Sequence, residues 1–190
     1  MLSSTRLRTT FLWPAWVVLA ALGLSGCLSN APETVDRVDL ERYQGLWYEI
    51  ASYPTFFNRG LAGTTAEYTL QEDGTVRVVN RAFEESLDGE PTEIVARARV
   101  VDEETMARLT VSFDGVPAFP TFGLGNYWVI GLDDDGYTWA VVSGPLRSTL
   151  FILSRTPQLE PATLDAILAD LEARDFDLDR LTFTPQPENP

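Results

Sequence analysis

Gly45-Leu46-Trp47-Tyr48-Glu49-Ile50-Ala51 decides how the rest of the chain is read. It opens a strand, Gly45 to Tyr53, entered from a short turn that Asp39 caps and that runs through Tyr43. A glycine two residues before a tryptophan is common by chance, so its surroundings must give it meaning. Downstream, short apolar segments alternate with turn signals. Thr64 to Leu70 and Thr75 to Phe83 flank Glu72-Asp73-Gly74, a hairpin turn. Glu93 to Val101 and Ala107 to Phe113 flank an acidic connection. Tyr127 to Leu132 and Tyr137 to Ser143 flank Asp133-Asp134-Asp135-Gly136, and Thr149 to Arg155 follows Gly144-Pro145.

These are eight strands with short connections, which favours antiparallel meander pairing over crossovers. Eight strands closing on themselves form a barrel that is filled or holds one small ligand, and closure removes the sheet edges. One helix follows, with Pro161 near its start and Leu164, Ile167, Leu168 and Leu171 at helical spacing. Asp165, Asp170 and Glu172 then face water. The expected fold class is all-β: an eight-stranded antiparallel up-and-down barrel with one C-terminal α-helix packed outside. Leu181 to Thr184 is expected to add a short outer strand, and residues 186–190 read as a disordered tail.

Upstream, Arg6 and Arg8 precede an apolar run, Phe11 to Leu24, that ends at Leu24-Ser25-Gly26-Cys27. A basic start, a short apolar run and small residues before a cut point describe a secretory signal peptide. The run holds Pro14 and falls short of the roughly 20 apolar residues of a membrane span. The cut site resembles the lipobox of bacterial lipoproteins. That resemblance implies a lipidated Cys27, with a diacylglyceryl group on sulfur and a third chain on the amine. More than one acyl chain holds a protein firmly to a membrane. The expected organisation is a signal peptide at 1–26, a lipidated linker at 27–37 and a barrel domain at 38–185. Leu28 in place of aspartate after the cysteine points to the outer membrane by enteric-type sorting.

Composition narrows the chemistry. The chain holds 14 basic and 28 acidic residues, with no histidine. All the basic residues are arginines. Without the leader the formal charge is −16, from 12 basic and 28 acidic residues. Such an excess disfavours nucleic acid and electrostatic docking on anionic lipid. Cys27 is the one cysteine, so no disulfide can form within the chain. Without histidine there is no Ser-His-Asp triad and no histidine zinc site. No catalytic residue, metal or cofactor is assigned.

With these surroundings, Gly45-Leu46-Trp47 at the first strand and Ser154-Arg155-Thr156-Pro157 after the eighth resemble the lipocalin family. The likeness is nearest to the bacterial lipocalin lipoproteins of the apolipoprotein D group. Asn58-Arg59-Gly60-Leu61, Tyr127 to Asp133, Val142-Ser143-Gly144-Pro145 and Phe151 to Pro157 match as well. The resemblance spans roughly residues 38–185. It implies that Trp47 and Arg155 meet at the closed end of the barrel as a structural plug, with Gly45 allowing close packing. A guanidinium on an indole gains cation–π attraction and keeps donors for backbone carbonyls. The family's second motif survives here only as the acidic turn Asp133 to Tyr137, which loosens the register of strands six and seven by a residue.

Side chains alternate across a strand. Fixing Trp47 inward places Glu49 and Ala51 inward too, and family register adds Ala66 and Tyr68. Val76, Val78, Asn80 and Ala82, then Ile94, Ala96, Ala98 and Val100, alternate against arginines. Leu109, Val111 and Phe113 share a face, as do Tyr127 and Val129, Ala140 and Val142, and Phe151 and Leu153 with Arg155. Many of these residues are alanines, so an underfilled barrel with an apolar cavity is expected. Glu49 is the exception: a buried carboxylate must pair, protonate or meet water. Its expected partners are Tyr68, Asn80 or an interior water. Two apolar loops, Pro54 to Gly63 with Phe56 and Phe57, and Gly115 to Gly123, are expected to flank one mouth.

The expected ligand-binding set is Glu49, Ala51, Phe56, Phe57, Ala66, Tyr68, Val78, Asn80, Ala96, Ala98, Val111, Phe113, Tyr127, Val129 and Phe151. The resemblance implies a fatty acid or lysophospholipid ligand. A membrane is reached through lipidated Cys27, and loop aromatics leave a homodimer open. Two other readings stand beside a carrier. One is an envelope assembly lipoprotein with a vestigial cavity. The other is a lipid-modifying enzyme using Glu49, Tyr68 and Tyr127 as acid–base groups.

Overall fold

Asp39 starts the described fold as the sequence suggests. Its Oδ1 accepts from the backbone N–H of Glu41 at 2.9 Å and of Arg42 at 3.2 Å, which caps α1 (Leu40–Tyr43). The computed structural model describes residues 30–55, 58–116 and 121–188. The signal peptide, Cys27, Phe56 and Phe57 lie outside the described residues.

Eight antiparallel strands follow: β1 (Gly45–Ser52), β2 (Leu61–Leu70), β3 (Val76–Glu84), β4 (Pro91–Val100), β5 (Arg108–Phe113), β6 (Tyr127–Leu132), β7 (Trp139–Ser143) and β8 (Leu150–Ser154). Each pairs with the next, and β1 pairs with both β2 and β8, which closes the barrel. The β1–β2, β3–β4, β5–β6 and β7–β8 connections therefore share one end. Residues 56–57 and 117–120 fall in two of these connections. Pairing of β5 with β6 is brief, and Asn126 extends it with its side chain. Its Oδ1 accepts from Val111 N–H at 2.7 Å, and its Nδ2 donates to Val111 O at 2.9 Å.

The outer elements are α2 (Pro161–Ala173), a 3-10 turn at Leu178–Arg180 and β9 (Thr182–Phe183). Ile167 and Leu171 are the buried residues of α2. Arg174, just past its end, donates to Ile130 O on β6 and to Glu33 O, each at 2.8 Å. Residues 33–37 were expected as linker. They are instead tied to the barrel, since Val35 N–H donates to Val129 O at 3.0 Å.

Gln186 and Pro187, expected in a disordered tail, are instead hydrogen-bonded to the rest of the fold. The β1–β2 pairing runs only from Gly45↔Tyr68 to Tyr48↔Thr65, and beyond it the strands diverge. The segment after α2 fills that gap. β9 pairs with Ala51 and Ser52, and Gly63 N–H donates to Pro185 O at 2.7 Å. Gln186 Nε2 donates to Glu49 O at 2.8 Å and to Thr64 O at 2.9 Å, joining the two parted strands. A buried backbone group needs a partner, and here Gln186 supplies one that a neighbouring strand would otherwise provide.

Candidate ligand cavity

Trp47 plugs the closed end and is fully buried. Its Nε1 donates to Tyr43 O at 2.8 Å, one turn earlier in the chain. The Arg155 guanidinium lies 3.9 Å from the Trp47 ring centroid. It donates to Tyr137 O at 3.2 Å, Leu46 O at 2.9 Å and Arg42 O at 2.8 Å. Gly45 has φ +93°, and a Cβ there would meet Arg155 Nη1 at 3.4 Å. Arg42 in turn covers the Tyr137 ring and donates to Asp134 O and Asp135 O. The base is thus a laminate of arginine, aromatic ring and loop carbonyls.

Above Trp47 three tyrosines converge. The Tyr127 hydroxyl is 2.9 Å from that of Tyr43 and 3.0 Å from that of Tyr68. The Tyr43 ring stacks on Trp47 with centroids 4.8 Å apart and meets Tyr68 edge-on at 5.5 Å. Burial pushes the Tyr68 hydroxyl up to about 12, and it raises Tyr43 and Tyr127 well above the ordinary tyrosine value too. All three stay protonated at any ordinary pH.

Glu49 is the buried carboxyl, opposite Leu153. Neither Tyr68 nor Asn80 is its partner. Oε1 accepts from Ser52 Oγ at 2.9 Å and from Thr184 Oγ1 at 2.7 Å. Burial raises its pKa, against the opposing effect of these two hydroxyls. The geometry comes from a bulge. Ile50 is an extra residue in β1, because Glu49 faces Leu153 while Ala51 faces Ile152. One inserted residue exchanges the faces of all later positions in the strand. Ser52 therefore takes the inward place beside Phe151, and Ala51 lies on the outer side with Ile152. The inward placement of Ala51 is corrected accordingly.

The other interior residues named from alternation lie inside, although the register shifts again in β2 between Ala62 and Thr65 and in β6 at Ile130. Ala66, Tyr68, Val78, Ala96, Ala98 and Val129 are buried members of one apolar cluster, with Val111, Phe113, Tyr127 and Phe151 packed against it. At the floor a cavity of about 20 Å³ is bounded by Val38, Leu40, Tyr43, Gln44, Tyr68, Val76, Ala98, Leu109, Val111, Tyr127 and Val129. That space suits one water-sized group and is too small for an acyl chain. Toward the mouth, burial falls away. Asn80 and Phe113 are half-buried, and Ile94, facing Asn80 on the inner side, is 41% exposed. The interior thus opens to solvent at the end of the four hairpin loops.

A family profile described as a lipocalin-like domain matches residues 38–186. The chain belongs to the lipocalin family. It is 39% identical to outer membrane lipoprotein Blc of Vibrio cholerae, covering 90% of this chain and 97% of that one. It is 37% identical to temperature-induced lipocalin-1 of Arabidopsis thaliana, over 83% and 84% of the two chains. Mouse apolipoprotein D is 30% identical over 84% and 83%. Among solved structures, insecticyanin of the tobacco hornworm superposes with a TM-score of 0.63 at 18% identity, covering 83% and 85%. Lobster apocrustacyanin A1 gives 0.58 at 16%, covering 83% and 91%. These structures share the fold.

In this lipocalin the acidic turn is a closed device. Asp133 accepts from Gly136 N–H, Thr138 N–H and Thr138 Oγ1, and these bonds, the hydroxyl's foremost, lower its pKa. The extra residue of the β6–β7 pair is Ile130, ahead of the turn. Sequence reading missed Tyr43, Thr184 and Gln186. Tyr43 carried a signal, since its offset of four from Trp47 brings its carbonyl to the indole. The other two carried none, because contacts across more than 120 residues are set by barrel closure.

Proposed function

We propose that this lipocalin is a membrane-anchored carrier that takes a hydrophobic ligand into the barrel, with fatty acids and lysophospholipids as the ligand classes. The observation that carries the proposal is the inner face. Ala66, Ala96 and Ala98 present short apolar side chains below a mouth at which inward side chains are no longer buried. Burying an acyl chain there gains roughly 25 cal/mol per Å². In this reading Cys27 carries the lipid anchor, the barrel faces the periplasm and the membrane is the outer one, as the names of the Blc relatives suggest. The filled floor favours a second reading, an envelope assembly lipoprotein whose cavity is vestigial.

Native mass spectrometry of the purified protein, with extraction of what travels with it, separates the two. Discrete lipid masses that disappear in Ala98→Trp support carriage. Ala96→Leu is a milder variant that tests the same wall. A barrel that carries nothing and takes up no added palmitate or lysophosphatidylethanolamine overturns carriage and leaves the assembly reading.

A further inference from the structure

The three tyrosine hydroxyls do not balance. Each has one proton to donate. The trio makes two contacts, Tyr43 with Tyr127 and Tyr127 with Tyr68, and these use two protons. None of the three hydroxyls has another partner among the described residues. One O–H donor is therefore left over, whichever way the chain of bonds runs. It is held in an apolar surrounding where an unmet donor costs about 1–3 kcal/mol. Beside it lies the 20 Å³ floor cavity, which all three tyrosines line.

We infer that this spare donor seats the oxygen of a neutral oxygenated lipid, a ketone, ester or alcohol, bound with that oxygen down and its chain toward the mouth. The inference rests on the carrier reading and specifies its ligand. Volume fixes the size of the seat at a single oxygen. Charge fixes its class. A free carboxylate would meet one donor and no cation, because no arginine lines the cavity and Arg155 turns three of its N–H groups to backbone carbonyls. An ionised group so placed is costly, so a fatty acid in this barrel would keep its carboxylate at the mouth and leave the seat to neutral lipids. A carbonyl or hydroxyl oxygen needs only the one proton. Val78, Ala96 and Ala98 form an apolar wall leading down, while the inward Glu49 is paired with Ser52 and Thr184 and Asn80 lies nearer the mouth.

The test uses two probes of equal length, 2-heptadecanone and heptadecane, against the purified protein and three variants. Tyr43→Phe/Tyr68→Phe/Tyr127→Phe removes every hydroxyl together and leaves none unmet, so folding is preserved. Tyr68→Phe removes one hydroxyl and one contact, so one spare donor remains; Tyr43→Phe does the same from the other end of the trio. The native protein should prefer the ketone by about fivefold relative to the triple variant, and each single variant should keep that preference. The infrared band of carbonyl-13C-labelled 2-heptadecanone should lie lower in the native protein and in the single variants than in the triple variant. Equal binding of both probes everywhere, with an unmoved band, overturns the seat and leaves a water there, while carriage stands. Failure of either probe to bind the native protein, with no lipid co-purifying, overturns carriage and the seat together. A preference lost in either single variant overturns the proton count.

Discussion

Arg155 lies flat on Trp47, 3.9 Å from the ring centroid, and spends its donors on three carbonyls from three different segments. The pair joins β1 to the residue just after β8 across more than one hundred positions of sequence. Arg155→Lys keeps the charge but loses the planar fork. It should cost about 2 kcal/mol in urea unfolding, most of what Arg155→Ala costs. A lysine variant indistinguishable from the native protein would show that charge alone matters there.

The tyrosine trio makes a stability prediction of its own. Tyr127→Phe strands two buried hydroxyls, those of Tyr43 and Tyr68, and should cost about 2 kcal/mol or more. The triple phenylalanine variant strands none and should be more stable than Tyr127→Phe alone. Thermal unfolding of the two variants side by side decides it.

Glu49 gives a pH signature. Its pKa is raised from the ordinary value of 4.5 in the folded state. Below 4.5 both states hold the proton. Above it the folded state alone holds it, so stability falls as pH rises through the raised value. Glu49→Gln keeps an acceptor for Ser52 and Thr184 without the charge. Its advantage over the native protein should grow from pH 4 to pH 7. Asp133 has the opposite sign: its lowered pKa adds stability at neutral pH that is lost in acid. A pH-independent gap between Glu49→Gln and native stability would remove the buried-charge account.

Gln186→Ala should loosen the seam between β1 and β2. It deletes two hydrogen bonds, and their loss should cost about 1–2 kcal/mol. Hydrogen exchange should quicken first at Gly63, whose N–H is held by Pro185 O. Exchange at Val78, on β3 away from the seam, should be unchanged.

Strand order and the meander were legible because each hairpin carries its own turn residues. The interior faces of β3, β4 and β5 were legible because alternation there is unbroken. Ala51 was misplaced because a bulge has no composition of its own: Ile50 fits a regular strand as well as it fits an inserted residue. Cavity size was misjudged because counting alanines ignores side chains that reach in from elsewhere, and Tyr43 enters the floor from α1 rather than from a strand. The role of Gln186 was invisible for the same reason, since nothing local demands it.

The seam at β1 sets an order of events. β1 precedes every other strand in synthesis, yet β8, its partner on one side, and β9, which completes the other side beyond β2, are made last of the nine. Pairing at such separation is slow, because a long loop must close before any contact rewards it. Until β8 leaves the ribosome, the nascent chain is an open ribbon with an unsatisfied edge at each end. Pairing of β8 with β1 then closes it, and the last gap, between β1 and β2, is filled by the chain's own ninth strand and the residues just after it.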